Sequence, residues 1–90
     1  MTNYDLTVCT NGYSTLRVGI GQAPRTGRMV PHFPRGYRKG LSKQHAEVLR
    51  SAAFELASAI ELNSVPQTLT GTCTSSGDQF PVRWSAPANQ

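Results

Sequence analysis

Ninety residues leave room for one domain with a thin stability margin, because a chain this short buries little more than ~60% of the surface it exposes when unfolded. The net charge of +4 favours an anionic partner, and no apolar run approaches the ~20 residues that cross a bilayer, so a membrane-spanning helix is excluded. With no secretion signal in view, the expectation is a single domain over residues 1–90 in the cytoplasm, where Cys9 and Cys73 stay free thiols.

From Tyr4 the chain alternates, with Tyr4, Leu6 and Val8 on one face and Asp5, Thr7 and Cys9 on the other, the period of a half-buried strand. A second strand sets Leu16, Val18 and Ile20 against Thr15, Arg17 and Gly19. A two-residue Asn11-Gly12 turn would put Thr7 opposite Leu16 and mix the faces. A loop of Asn11 to Tyr13 instead pairs Val8 with Leu16 and Leu6 with Val18, giving a first hairpin over residues 3–20.

Residues 21–41 then read as a long basic loop. Arg25, Arg28, Arg35, Arg38, Lys39 and Lys43 hold six of the nine positive charges, and no Asp or Glu occurs between Asp5 and Glu47. The stretch from residue 28 to residue 33 can form a short fifth strand, which Pro31 would confine to an edge.

Ser42 reads as the N-cap of a helix over residues 42–62, whose Val48, Leu49, Ala52, Ala53, Leu56, Ala59 and Ile60 share one side at ~100° per residue. Glu47, Arg50, Ser51, Ser58 and Glu61 lie opposite, with Phe54 in the middle of that polar face. Asn63 to Pro66 stops the helix. A second hairpin over residues 67–85 follows, with Leu69, Gly71 and Cys73 opposite Trp84, Val82 and Phe80, a loop of Ser75 to Asp78, and Gly71 leaving room for the indole. Pro81 lacks a ladder donor, so the last strand is expected at a sheet edge, followed by a frayed tail over residues 86–90. The fold class is α+β: hairpin, helix, hairpin (ββαββ), a four-stranded antiparallel sheet with one helix packed on one face.

Catalysis needs acids, bases or a nucleophile held within reach of one another, and the five acids fall on solvent faces or a loop, so no catalytic residue is assigned and no enzyme is expected. The Cys and His residues at 9, 32, 45 and 73 lack the close pairs of a zinc site, and Gly19-Ile20-Gly21 opens no helix, so neither metal nor cofactor is expected. His45, in the first helical turn, reads as a neutral polar residue near the cap.

What departs from the needs of folding is the basic segment. Arginine offers a planar fork for phosphate or carboxylate, and His32, Phe33 and Tyr37 can stack on bases or fill a partner's pocket. Arg25, Arg28, His32, Phe33, Arg35, Tyr37, Arg38, Lys39 and Lys43 are therefore the candidate binding residues. Phe54 joins them as an aromatic with a polar rim, over which the basic loop can fold back. The leading expectation is a non-enzymatic protein-binding module that docks on an acidic or nucleic-acid-associated protein complex. A small phage-type inhibitor of a host nucleic-acid-handling complex, such as an anti-CRISPR protein, has this scale and simplicity, an analogy of size without a shared motif. The alternative is direct binding of DNA or RNA phosphates by the same segment.

Overall fold

The structure is a computed structural model that describes residues 2–9 and 12–86. Five strands and one long helix follow in the order β1 (Thr2–Cys9), β2 (Tyr13–Gln22), β3 (Met29–His32), α1 (Lys43–Glu61), β4 (Thr68–Thr72) and β5 (Gln79–Ser85), with a 3₁₀ turn, Tyr37–Gly40, ahead of the helix. All pairings are antiparallel and the spatial order is β3-β2-β1-β5-β4, which puts the first strand at the centre.

The fold is thus α+β with one helix, and the sheet has five strands where four were expected as the base arrangement. The fifth is the short edge strand raised for residues 28–33, where Gln22 pairs with Met29 and Gly19 with His32, with Pro31 on the edge strand. The turn that makes it is Ala23 to Arg28, closed by the Ala23 N–H donating to the Arg28 carbonyl at 2.8 Å. The same turn recurs from Cys73 to Asp78, with its own 2.8 Å closing bond, and in each the last loop residue is a left-handed glycine, Gly27 at φ 71° and Gly77 at φ 79°. Thr26 and Ser76 complete the likeness, each hydroxyl accepting from the backbone N–H two residues on.

The registers of the β1–β2 and β4–β5 hairpins also differ from the expected ones. Leu6 faces Leu16 and Tyr4 faces Val18, while Leu69 faces Val82 and Gly71 faces Phe80, each two residues from the expected pairing. A shift of two leaves every side chain on its expected face, because the side-chain period along a strand is also two. Of the expected first loop, Asn11 lies outside the described residues, as does most of the tail, residues 87–90.

β5 is not an edge strand. Pro81 is tolerated inside the sheet because its pair with Thr70 makes no ladder bond: the Thr70 N–H points outward and donates to the Glu55 carboxylate at 3.1 Å. On the other side, pairing with β1 ends at Val8 and Val82, one residue short of the proline.

α1 starts at Ser42, whose hydroxyl accepts from the His45 N–H at 3.1 Å, and ends with Asn63 in the left-handed conformation at φ 55°. There the N–H groups of Asn63 and Ser64 return to the carbonyls of Ile60 and Ala59. Val48, Leu49, Ala52, Ala53, Leu56 and Ala57 are buried against Leu6, Val8, Leu16, Val18, Ile20, Leu69 and Val82. Ala57 takes the place expected for Ala59 and Ile60, which are only half-buried.

The helix touches all five strands. Flat, five strands at ~4.8 Å spacing are ~19 Å wide, while a helix with its side chains is ~11 Å across, so the sheet curls to bring both edges to it. Gly71 permits the closest approach: a Cβ built there would stand 2.1 Å from the Val48 carbonyl oxygen. The glycine makes room for the helix backbone and not for the indole, which packs on Tyr4 and donates to the Pro66 carbonyl.

Candidate interaction surface

The glutamates expected on an idle polar face of α1 hold the sheet's edges. Glu55 accepts from Thr70 on β4, and Glu61 accepts from the Met29 N–H on β3 at 3.1 Å and from Arg28 at 3.0 Å. Unpaired edge N–H groups invite pairing with another chain, and these carboxylates occupy them. Glu47 accepts from the Cys73 thiol, the Ser75 N–H and the Ser75 hydroxyl at 3.1 to 3.3 Å. The Cys73 thiol, followed by the Ser75 N–H, holds the Glu47 carboxyl below the usual carboxylate range, and Arg28 followed by the Met29 N–H does the same for Glu61.

His45 is buried at the turn end of the sheet, its Nδ1 in a short contact with the Ser14 hydroxyl. Its role is packing and hydrogen bonding under the first hairpin, beyond the polar cap position expected of it.

The basic segment forms a strap laid along α1. From the start of β3 it runs back along α1, with Arg28 and Met29 beside Glu61, then Phe33 beside Phe54, then Tyr37, Arg38 and the cap at Ser42. Apolar contacts hold it down: Met29, Phe33, Tyr37 and Leu41 all pack against the core. Gly36, in the left-handed region at φ 71°, turns the chain into the 3₁₀ turn.

The expected site residues therefore divide. Arg25 and Arg28 lie at the end of α1 that carries Glu61, and Arg28 is committed to that carboxylate. Lys43 lies at the other end, some ~27 Å away along a helix of this length. His32 pairs with Gly19 and shares its side of the sheet, opposite to Ile20 and Pro31, which places it apart from the strap's aromatics. Arg35, Arg38, Lys39 and Lys43 are exposed along the strap and the first helical turn, and Arg38 and Lys43 line one concavity.

Phe33, Tyr37 and Phe54 form one aromatic row. Phe33 stacks on Tyr37 at 5.0 Å between ring centres and 23° between planes, and meets Phe54 at 6.0 Å and 52°. Phe54 stays 46% exposed, so the strap covers it only in part. The Arg50 guanidinium lies over both Phe33 and Phe54, at 5.7 and 5.1 Å, and Arg38 lies over Tyr37 at 5.8 Å. Beside the row runs a groove. One concavity of about 320 Å³ is lined by Tyr37, Arg38, Leu41, Lys43, Ala46, Glu47 and Arg50. A second, of about 380 Å³, shares Arg38, Glu47 and Arg50 and reaches Phe54 and Thr74.

Leu41 was not among the residues the sequence singled out, and Arg50 entered only as part of the polar rim around Phe54, which it precedes by one helical repeat of four so that the two share a face. Among the described residues no cluster of His, Cys, Asp and Glu could hold a metal ion, and no helix is long and apolar enough to cross a membrane. Compared with known families, with curated proteins and with solved structures, the chain matches none.

Proposed function

We propose that this chain is a binding protein without catalytic activity, docking on an acidic or nucleic-acid-associated protein complex through the flank formed by the strap and α1. One observation carries the reading. Half-buried Phe33 and Tyr37 and exposed Phe54, interleaved with Arg38 and Arg50, share one flank, where among the described residues the one acid lining the groove, Glu47, is already engaged by Cys73 and Ser75. Aromatics and arginine are the residues that dominate protein interfaces, and a basic rim steers an acidic partner. The Ser14–His45 contact does join a hydroxyl to an imidazole, but His45 is buried and neither residue lines the groove. Its role is read as structural. Both cysteines are free thiols, in keeping with a cytoplasmic setting. A phage-type inhibitor of a host nucleic-acid-handling complex remains the biological role that suits this size, by analogy of scale.

The second reading is direct binding of DNA or RNA, favoured by the run of exposed Arg35, Arg38, Lys39 and Lys43. Fluorescence anisotropy separates the two. Duplex and single-stranded nucleic acid are expected to bind weakly at physiological ionic strength, whereas submicromolar binding that falls steeply with salt would establish the second reading instead. Under the first, Arg35→Glu with Arg38→Glu abolishes capture of a protein complex from host extract while circular dichroism is unchanged. Retained capture places the site elsewhere.

A further inference from the structure

We propose, resting on the reading above, that the groove between the strap and α1 seats a short acidic segment of the partner protein. An apolar side chain enters the groove and carboxylates on either side lie on its basic rim. The floor offers Leu41, Ala46 and the ring of Tyr37, and the rim offers Arg38, Lys43 and Arg50. About 320 Å³ is at the small end of ligand sites, enough for one or two side chains and too little for a folded element.

Glu47 offsets the rim's charge only in part: it acts on Arg38 through space, but its oxygens accept from Cys73 and Ser75 and it forms no ion pair with the three cations. Among the described residues the ion pairs are Asp5 with Arg17 and Glu61 with Arg28, so Arg38, Lys43 and Arg50 take part in none. Arg50 rests over the Phe33 and Phe54 rings, while the Arg38 Nε donates to the Tyr37 hydroxyl at 3.3 Å and leaves its terminal N–H groups to meet a carboxylate.

Glu47 selects peptide over nucleic acid. It lines both concavities, and its carboxyl stays ionised because Cys73 and Ser75 donate to it. A nucleic-acid strand carries a charge at every nucleotide and must lay phosphates past that carboxylate. A peptide can set its apolar residue there and its carboxylates to either side, so the one acid in the groove penalises the first ligand and spares the second.

The test uses the full chain, isotope-labelled, titrated with the acetylated and amidated hexapeptide Asp-Glu-Leu-Phe-Glu-Asp and followed by amide chemical shifts. Two control peptides replace its acids with Asn and Gln, or its Leu-Phe pair with Ala-Ala, and a single-stranded oligothymidylate is the competing ligand. The expected result is that shifts centre on Leu41, Ala46 and Arg50, that both controls bind at least ~10-fold more weakly, and that Arg38→Glu with Lys43→Glu removes the shifts while the spectrum stays dispersed. Equal binding of the acidic and neutral peptides, shifts centred on Thr7, Thr68 and Arg83, tighter binding of the oligothymidylate, or shifts explained by dimerisation in sedimentation would each overturn the proposal. If the peptide fails while Arg35→Glu with Arg38→Glu still abolishes partner capture, the groove proposal falls and the protein-binding reading stands. If the oligothymidylate binds tightly through the same residues, both fall.

Discussion

Gly71→Ala tests the closest contact between sheet and helix. Its new Cβ would stand 2.1 Å from the Val48 oxygen, 2.7 Å from Val48 Cγ1 and 2.9 Å from the Val48 carbonyl carbon, where real Cβ contacts essentially never fall below 3.0 Å. Two of these three atoms belong to the helix backbone, so no rotamer change relieves the clash, and α1 must retreat from β4 by about 1 Å along with the buried row it carries. Overpacking of this kind costs about 1–3 kcal/mol, and a backbone clash belongs at the upper end. A chain of this length is held by about 5–13 kcal/mol in all, so the loss is a large part of its stability. At about 4–8 °C per kcal/mol, a cost of ~3 kcal/mol lowers Tm by roughly 12–24 °C, read by calorimetry or by circular dichroism on heating. Two other glycines calibrate the result. Gly27→Ala meets no atom within 4 Å but sits at φ 71°, for a cost of about 1–2 kcal/mol, while Gly40→Ala meets neither obstacle and leaves Tm unchanged or slightly raised. Adding Val48→Ala to Gly71→Ala does not restore stability, since the carbonyl remains. A Gly71→Ala protein that melts above the Gly27→Ala protein, or is rescued by Val48→Ala, would refute the argument.

Acid titration and edge exposure supply the remaining tests. Glu47 and Glu61 ionise more readily folded than at the ordinary carboxylate value of 4.5, so the folded state binds fewer protons and their stabilisation is present above that pH. It is lost as pH falls through the depressed folded values, so Tm drops more between pH ~6 and ~3 in the wild type than in Glu47→Gln with Glu61→Gln; equal drops contradict the assignment. Glu55→Ala with Glu61→Ala uncovers the Thr70 and Met29 N–H groups on opposite edges of the sheet, and light scattering is expected to show concentration-dependent self-association that the wild type lacks. Unchanged scattering would mean the edges are protected by their shortness and by Pro31 alone.

Local periodicity carried much of this fold. The alternation of Leu6 with Val8 and of Leu16 with Val18 and Ile20, the helix from its Ser42 cap to its stop at Asn63, and the inward side of each strand follow from residues close in sequence, where period and capping chemistry act directly. The separation of Cys9, exposed, from buried Cys73 followed from the same alternation. For the binding surface, sequence could mark the one-sided charge of residues 24–43 and the oddly placed Phe54, and it raised the joining of the two as an alternative.

Only the tertiary structure decided which strand stood where. Pro81 argues for an edge when each strand is taken alone, but a strand needs ladder bonds only where a neighbour pairs with it, and the pairing with β1 ends at Val8 and Val82, one residue before the proline. Gly71 and Gly21 look alike in sequence, yet one meets the helix backbone and the other pairs with Val30 on the far face. Arg28 and Arg38 look alike too; the strap ties the first to Glu61 at one end of α1 and lays the second beside Arg50 near the other. Charge and period are properties of neighbours along the chain, and they set what each residue can do. Which residues meet depends on contacts between distant segments, made here by one helix drawing both edges of a five-stranded sheet around itself.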